Sequence, residues 1–306
     1  MDTTAVVCAY SLVGREALAG LLEAGVRVLG LFTYPHAPED GWFEPPADLA
    51  RREGIPVWME PRFNEDAVFE RIRGLRPDFL FSFYFREMIQ GRFLDLPPRG
   101  AYNLHGSLLP RYRGRAPVNW VLVKGEPETG VTLHLMTPKP DDGDIVGQAR
   151  IPMEWDETAL SLTRKVAAAG RGLVAATVAD LAAGRVAGIS QKTLGPSSYF
   201  GGRKPEDGEL RFELGAGEAF NLVRAVADPW PNAFLRLPRG VVQVPWALPS
   251  PESCPPGHFR PGPLGPLVGF SDGSLVLHSL RHQGQRLERP TEMAALLREL
   301  GLPESP

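Results

Sequence analysis

The stretch Val6-Val7-Cys8-Ala9-Tyr10, followed by Ala17, Leu18, Leu21 and Leu22 at helical spacing, then Gly25 and the apolar run from Val26 to Thr33, decides the fold. An apolar run without polar alternation suits a parallel strand covered on both faces. The helically spaced leucines and alanine predict a helix that ends at Gly25, where a C-terminal cap is expected. The unit is βαβ. A helix over 46–53, a short strand over 56–59, a helix over 66–75 and a buried strand from Phe79 to Phe83 repeat the alternation. An open α/β sheet, mostly parallel, follows, and right-handed crossovers put its functional crevice at the carboxyl ends of the strands.

Nicotinamide chemistry has no visible cradle in that sheet. A dinucleotide fingerprint requires three glycines after the first strand, and Ala9-Tyr10-Ser11-Leu12-Val13-Gly14 offers one. No phosphate-binding loop of the ATPase type appears either. Thr158 to Ala183, rich in Ala, Leu and Val, is long enough for a helix that closes the first domain, which is placed at 1–187. Periodicity then fails between Ala187 and Gly202, where Gly195-Pro196-Ser197-Ser198 and Gly201-Gly202 act as breakers, and a linker is placed at 188–202. The second domain, 203–306, opens with a helix near 217–226. Short strand-like runs follow (Ala233 to Leu235, Val241 to Val244, Leu275 to Leu280), predicting a small β-rich domain of barrel type.

Composition agrees with two globular domains. The 306 residues are 43% apolar and 23% charged, but 33 Gly and 31 Pro are more than ordinary usage supplies. Eight of the prolines fall between Pro245 and Pro266, which predicts an irregular surface loop of the second domain. Cys8 and Cys254 are far apart with no Cys-x-x-Cys, arguing against a disulfide framework or a metal cluster. No window reaches the length of a membrane span and the first residues lack a basic signal region, so a cytoplasmic address and no membrane partner are expected. The chain is balanced in charge up to Lys204 and net −3 beyond it, which does not suit a polyanion binder.

The chemistry concentrates between Ala101 and Arg150. In Ala101-Tyr102-Asn103-Leu104-His105 the strand alternation sends Asn103 and His105 to one face, at a strand end marked by Gly106-Ser107. Spacing alone leaves His105 open between a structural histidine and a functional one. Arg111, Arg113 and Arg115 recur at every second position before a helix over 118–124, either as a solvated basic loop or as an anion contact. Pro140-Asp141-Asp142-Gly143-Asp144 follows a strand over 129–136. Its acids lack the ligand set of a calcium loop, so no metal is expected, and Asp141 is either a turn residue or the group that orients His105.

Taken together, Asn103-Leu104-His105-Gly106-Ser107-Leu108-Leu109-Pro110, Arg113-Gly114, Gly125-Glu126, Thr129-Gly130-Val131-Thr132 and Asp141-x-Gly143 resemble, in order, the signature of the folate-dependent formyltransferases. Phe81-Ser82-Phe83-Tyr84, Arg113 to Pro117 and Arg224 to Pro231 extend the resemblance over nearly the whole chain, toward the branch that formylates amino-sugar nucleotides. The resemblance implies a Rossmann-like catalytic domain and an OB-like second domain. It implies 10-formyltetrahydrofolate as formyl donor, Asn103, His105 and Asp141 as catalytic triad, and a folate site at Glu87, Met88, Ile89, Arg115 and Thr137, Pro138, Lys139, Pro140 and Asp141. Glu87 departs from the histidine of the resembling proteins, so its contact is expected through the backbone. Tyr84 and the arginine loop are candidates for substrate or pterin contacts, Tyr84 also reading as a packed strand end.

The implied acceptor is UDP-4-amino-4-deoxy-L-arabinose. The sequence holds no decarboxylase half such as a bifunctional relative carries, so a separate decarboxylase is the implied supplier of the amine. In this chemistry Asn103 is expected to donate to the oxyanion and His105 to move protons, while Asp141 is expected to raise the pKa of His105. Two rivals share the donor and the triad. Methionyl-tRNA formyltransferase needs a basic surface for its nucleic acid, which the charge balance does not favour. A 10-formyltetrahydrofolate hydrolase of this type is expected to carry a further N-terminal domain, whereas the first strand here begins by Val6.

Overall fold

The computed structural model describes residues 3–60 and 62–305. Its chain order begins β1 (Thr4–Ala9), α1 (Ser11–Glu23), β2 (Arg27–Phe32), α2 (Pro46–Arg52), β3 (Val57–Trp58), α3 (Asp66–Leu75) and β4 (Phe79–Phe83). It continues with α4 (Gly91–Leu94), β5 (Ala101–His105), β6 (Arg113–Gly114), α5 (Pro117–Val123), β7 (Glu128–Leu135), β8 (Ile145–Pro152), α6 (Ala159–Ala182) and β9 (Tyr199–Phe200).

Seven strands form one sheet in the order β3-β2-β1-β4-β5-β7-β8. The five from β3 to β5 run parallel, and β7 and β8 add an antiparallel hairpin at the far edge. The α/β expectation therefore holds. β1 is buried along its whole length, which is why its sequence is apolar without alternation. Val6, Cys8, Phe32 and Leu80 pack on one face with Phe63, Ile72 and Phe93. The rings of Phe79, Phe81 and Phe83, pointing the other way along β4, lie in series at 5.6 and 5.5 Å. β8 has no counterpart in the sequence reading. As an edge strand its residues are mostly half-buried or exposed, so it carries no apolar run to read.

The described residues cluster into two compact units. The first takes residues up to 117, 128–153 and 162–201; the second takes 118–127, 154–161 and 202 onward. Where the sequence placed a linker, 188–201 is woven into the first unit. Ile189 bridges Ile145, β9 pairs in parallel with β6, and Tyr112 stacks on Phe200 at 5.0 Å. These are backbone ladders and one aromatic stack rather than apolar periodicity, so nothing in the residue pattern announces them.

The second unit contains α7 (Ala216–Ala225), β10 (Ala233–Leu237), β11 (Gly240–Ser250), β12 (Phe259–Arg260), β13 (Leu267–Gly269), β14 (Ser274–His282), β15 (Gln285–Leu287) and α8 (Pro290–Glu299). Its strands form an antiparallel sheet ordered β10-β11-β14-β13-β12, with β15 on β14. Val223, Met293 and Leu297 from the helices are buried against Val242, Val244, Leu275 and Leu277. The segment 118–127 joins this unit because the Asn119 amide donates to Ala225 O at 2.7 Å and Arg224 reaches Leu122 O at 3.4 Å. The proline-rich stretch differs from its expectation. β11 runs through Pro245 and Pro249, and β12 lies inside the stretch as well. Pro245 is tolerated because the ladder to β14 breaks register between Gln243 and Trp246, where its missing N–H forfeits no strand bond.

Candidate active site

The carboxyl end of β5 carries Asn103 and His105 on one face, as their spacing requires. The antiparallel neighbour β7 sets His134 directly opposite Asn103 and Thr132 opposite His105. Asp141 sits in the turn between β7 and β8 in the left-handed region, φ 52°. Gly143 lets that turn lie flat on β7, since a Cβ there would meet Leu135 O at 1.9 Å. Asp141, far along the chain from Asn103 and His105, is brought beside them together with a fourth residue, His134.

One oxygen is the focus of the cluster. Asp141 Oδ1 lies 3.4 Å from His105 Nδ1, 3.4 Å from Asn103 Nδ2 and 3.5 Å from His134 Nε2, while Oδ2 accepts the Gly114 N–H at 2.8 Å. Burial pushes the Asp141 carboxyl up. The imidazoles of His105 and His134 in their charged forms and the Gly114 N–H pull it down further, to about 2, so it is ionised at neutral pH.

Hydrogen-bond logic fixes the other protons. His105 Nε2 lies 2.7 Å from Tyr112 O, a carbonyl that only accepts, so Nε2 carries the proton and Nδ1 is left basic. His134 Nδ1 lies 2.9 Å from Leu135 O and carries its proton for the same reason, leaving Nε2 to accept from Asn103 Nδ2 at 3.1 Å. The Asn103 NH2 is thereby directed at His134 and Asp141. Its Oδ1 has no hydrogen-bond partner among the described residues. This is the reverse of the orientation expected for donation to an oxyanion. The expected rise in the His105 pKa is reversed too. Burial of the imidazole, only 6% exposed, lowers it and outweighs Asp141, so His105 is neutral at neutral pH.

The shell behind these groups explains the signature. Thr132 Oγ1 donates to Ser107 O at 2.6 Å and accepts from Leu109 N at 3.2 Å and Gln148 Nε2 at 3.0 Å, tying down the turn after β5. Arg113 is not a free anion contact. It pairs with Asp142 at 2.6 Å and donates twice to Gln191 Oε1, at 3.1 and 2.8 Å. Gln191, 2% exposed, donates from Nε2 to Asp141 O at 2.9 Å and Gly143 O at 2.7 Å, so it clamps the turn that carries Asp141. Neither Gln191 nor His134 was legible as a site residue. Their signal lies in strand register and a non-periodic loop.

The residues expected to hold folate fall in two neighbouring loops and on Arg115. Glu87 N donates to Tyr34 Oη at 3.2 Å, and the Glu87 carboxylate accepts from Phe63 N at 3.2 Å, so both its N–H and its side chain are engaged inward. Met88 is 56% exposed, whereas Ile89 is buried in the core and offers only its backbone. Thr137 donates to Lys139 O at 2.9 Å, and Pro138, Lys139 and Pro140 are exposed. Pro138 approaches Gly91, and Met136 packs on the cluster that contains Ile89. Arg115 is exposed, its backbone N–H bonded to Phe200 O at 2.9 Å. Among the described residues no group of His, Cys, Asp or Glu could hold a metal, and no helix is long and apolar enough to cross a membrane.

A mostly parallel Rossmann-like sheet with an Asn, His and Asp cluster at its strand ends, followed along the chain by an antiparallel β-rich domain, defines an α/β enzyme. The chain belongs to the formyl transferase family. Residues 38–178 match the formyl transferase family and residues 203–297 its C-terminal domain, together most of the chain. Among solved structures it is similar to a substituted HypX from Aquifex aeolicus (TM-score 0.67, 16% identity), covering 100% of this chain and 49% of HypX. It is also similar to an N-formyltransferase from Helicobacter canadensis in complex with folinic acid and dTDP-3-aminofucose (TM-score 0.69, 18% identity, 90% and 99% covered). A third is a sugar N-formyltransferase from a Shewanella species (TM-score 0.64, 18% identity, 80% and 97% covered). The chain thus spans about half the length of HypX and nearly all of the sugar enzymes.

Proposed function

We propose that the chain transfers the formyl group of 10-formyltetrahydrofolate to the amine of a sugar nucleotide. The observation that carries this reading is the neutral His105, its Nε2–H held by Tyr112 O and its basic Nδ1 beside the ionised Asp141. A neutral primary amine attacking a formyl carbon must lose a proton, and the departing folate nitrogen must gain one. His105 Nδ1 can take the first and return the second, an effect worth roughly 10²–10⁴ in rate. Asp141 stabilises the imidazolium that exists between the two transfers. Asn103, presenting Oδ1, accepts an N–H of the amine and aims its lone pair at the formyl carbon.

The folate is consumed as a substrate, and the residues flanking the crevice fit it. Tyr34 stacks on Phe85 at 4.8 Å, a flat aromatic wall whose Phe85 lies in the segment that leads to exposed Met88. The carbonyls of Glu87 to Ile89 and the loop from Thr137 to Asp141, with Arg115, supply polar edges for a pterin. The dTDP-amino sugar bound by the Helicobacter enzyme supports an amino-sugar nucleotide as acceptor. The finer sequence resemblance, to the formyltransferase half of the bifunctional polymyxin-resistance protein, favours UDP-4-amino-4-deoxy-L-arabinose as that acceptor.

The test is a panel of acceptors offered with 10-formyltetrahydrofolate and read by product mass: UDP-4-amino-4-deoxy-L-arabinose, dTDP-linked 3- and 4-amino sugars, methionyl-tRNA, and water alone. Formylation of an amino-sugar nucleotide, with the UDP-arabinose derivative fastest, is expected. Salt-sensitive formylation of methionyl-tRNA alone, or formate release without an acceptor, would replace this reading.

A further inference from the structure

Tyr84 directly follows β4 in the left-handed backbone region, φ 56°, and the register that pairs Ser82 with Asn103 and Phe83 with Leu104 brings it level with His105. Its hydroxyl is buried and has no hydrogen-bond partner among the described residues. The oxygen sits on the backbone of Gly106, where a Cβ would lie 1.8 Å from it, so the absence of a side chain at Gly106 makes its room. A buried hydroxyl without a partner destabilises a fold, and phenylalanine would fill the same space without that cost. The oxygen is explained by a group that arrives with substrate.

The rest of the crevice lacks a donor for one atom of the reaction. The Asn103 N–H groups face His134 Nε2 and Asp141 Oδ1, and the His105 Nε2–H is given to Tyr112 O. No side-chain N–H of the triad is left for the formyl oxygen, which gains negative charge as the amine attacks. Burial raises the Tyr84 phenol well above its ordinary value, with Asp141 adding to the effect, so the hydroxyl keeps its proton and can donate it in a hydrogen bond.

We propose that Tyr84 is a further catalytic residue, its O–H donating to the formyl oxygen and holding the charge that gathers there. The inference rests on the formyl-transfer reading above. In the step, the amine lone pair forms the new bond to the formyl carbon and the C=O pair moves onto oxygen, while one amine proton passes to His105 Nδ1. The C=O then re-forms, the bond to the folate nitrogen breaks with its electron pair leaving on nitrogen, and His105 returns the proton there. Tyr84 keeps its own proton throughout.

The experiment is Tyr84→Phe in the full chain, measured by steady-state formyl transfer to the best acceptor of the panel, by thermal unfolding and by pH profile. Loss of one oxyanion donor predicts a kcat lower by about 10²-fold, with KM for both substrates within about threefold. Thermal stability is expected to be unchanged or higher, and the acid limb of the pH profile unmoved. A second variant, Gly106→Ala, pushes the hydroxyl from its seat and is expected to lower kcat at least as far. A kcat within about threefold of wild type for Tyr84→Phe, a change confined to KM, or a displaced acid limb overturns the donor role and leaves the formyl-transfer reading standing. A wild-type chain that formylates no amino-sugar nucleotide overturns both.

Discussion

Replacing Gln191 by Ala tests whether a residue outside the signature holds the active site together. The side chain is 2% exposed and makes four bonds, two from its amide to the Asp141 and Gly143 carbonyls and two from the Arg113 guanidinium to its oxygen. Two neutral bonds contribute about 1 kcal/mol each and the charge-assisted pair about 2 kcal/mol in all, so truncation should destabilise the first unit by roughly 3–4 kcal/mol. The Arg113–Asp142 pair at 2.6 Å survives and offsets a little of this. For a unit of this size the loss corresponds to a fall of about 10 °C in Tm, read by calorimetry. Catalysis should suffer separately, because the turn that aims Asp141 loses its clamp. A fall in kcat of about 10-fold or more is expected at a temperature where the variant is fully folded, since misplacement of a positioned group by about an ångström has effects of that order. A variant that melts within 2 or 3 °C of wild type (about 1 kcal/mol) and retains its kcat would refute the assignment of Gln191 as the clamp.

Three further outcomes follow from the same geometry. His105→Ala should lose kcat by about 10²-fold or more, with binding of 5-formyltetrahydrofolate by calorimetry within a few fold; retention of more than about a tenth of kcat would remove His105 from the proton path. The pH profile of kcat/KM should show its acid limb below 6.5, because burial holds His105 under that ordinary value, and activity should fall as pH drops through it; a limb above 6.5 would contradict a neutral, buried imidazole. Asp141, held at about 2 against an ordinary 3.8, contributes stability that is fully present above 3.8 and is lost as pH falls through 2. That difference amounts to about 2 kcal/mol, so Asp141→Asn should lower stability at neutral pH and flatten its acid dependence, measured by urea unfolding between pH 2 and 6, roughly the range in which the carboxyl titrates.

The sequence by itself determined the βαβ alternation, since a strand buried on both faces must be apolar throughout and a helix packed on it must repeat at helical spacing. It also placed Asn103 and His105 on one face, because strand alternation is a property of neighbouring residues. Beyond such local rules the residues were silent. His134 reaches Asn103 only through the register of β7 on β5, and Gln191 reaches Asp141 only after 188–201 folds back along β6, so neither leaves a periodic trace. β8 escaped because an edge strand is only half covered, and the prolines of β11 misled because a register break lets a residue without an N–H sit in a ladder. The protonation states required the tertiary structure most of all. Sequence can set an aspartate near a histidine, but whether burial or the neighbouring charge dominates depends on how much water the fold excludes, and here exclusion leaves His105 neutral and Asp141 charged.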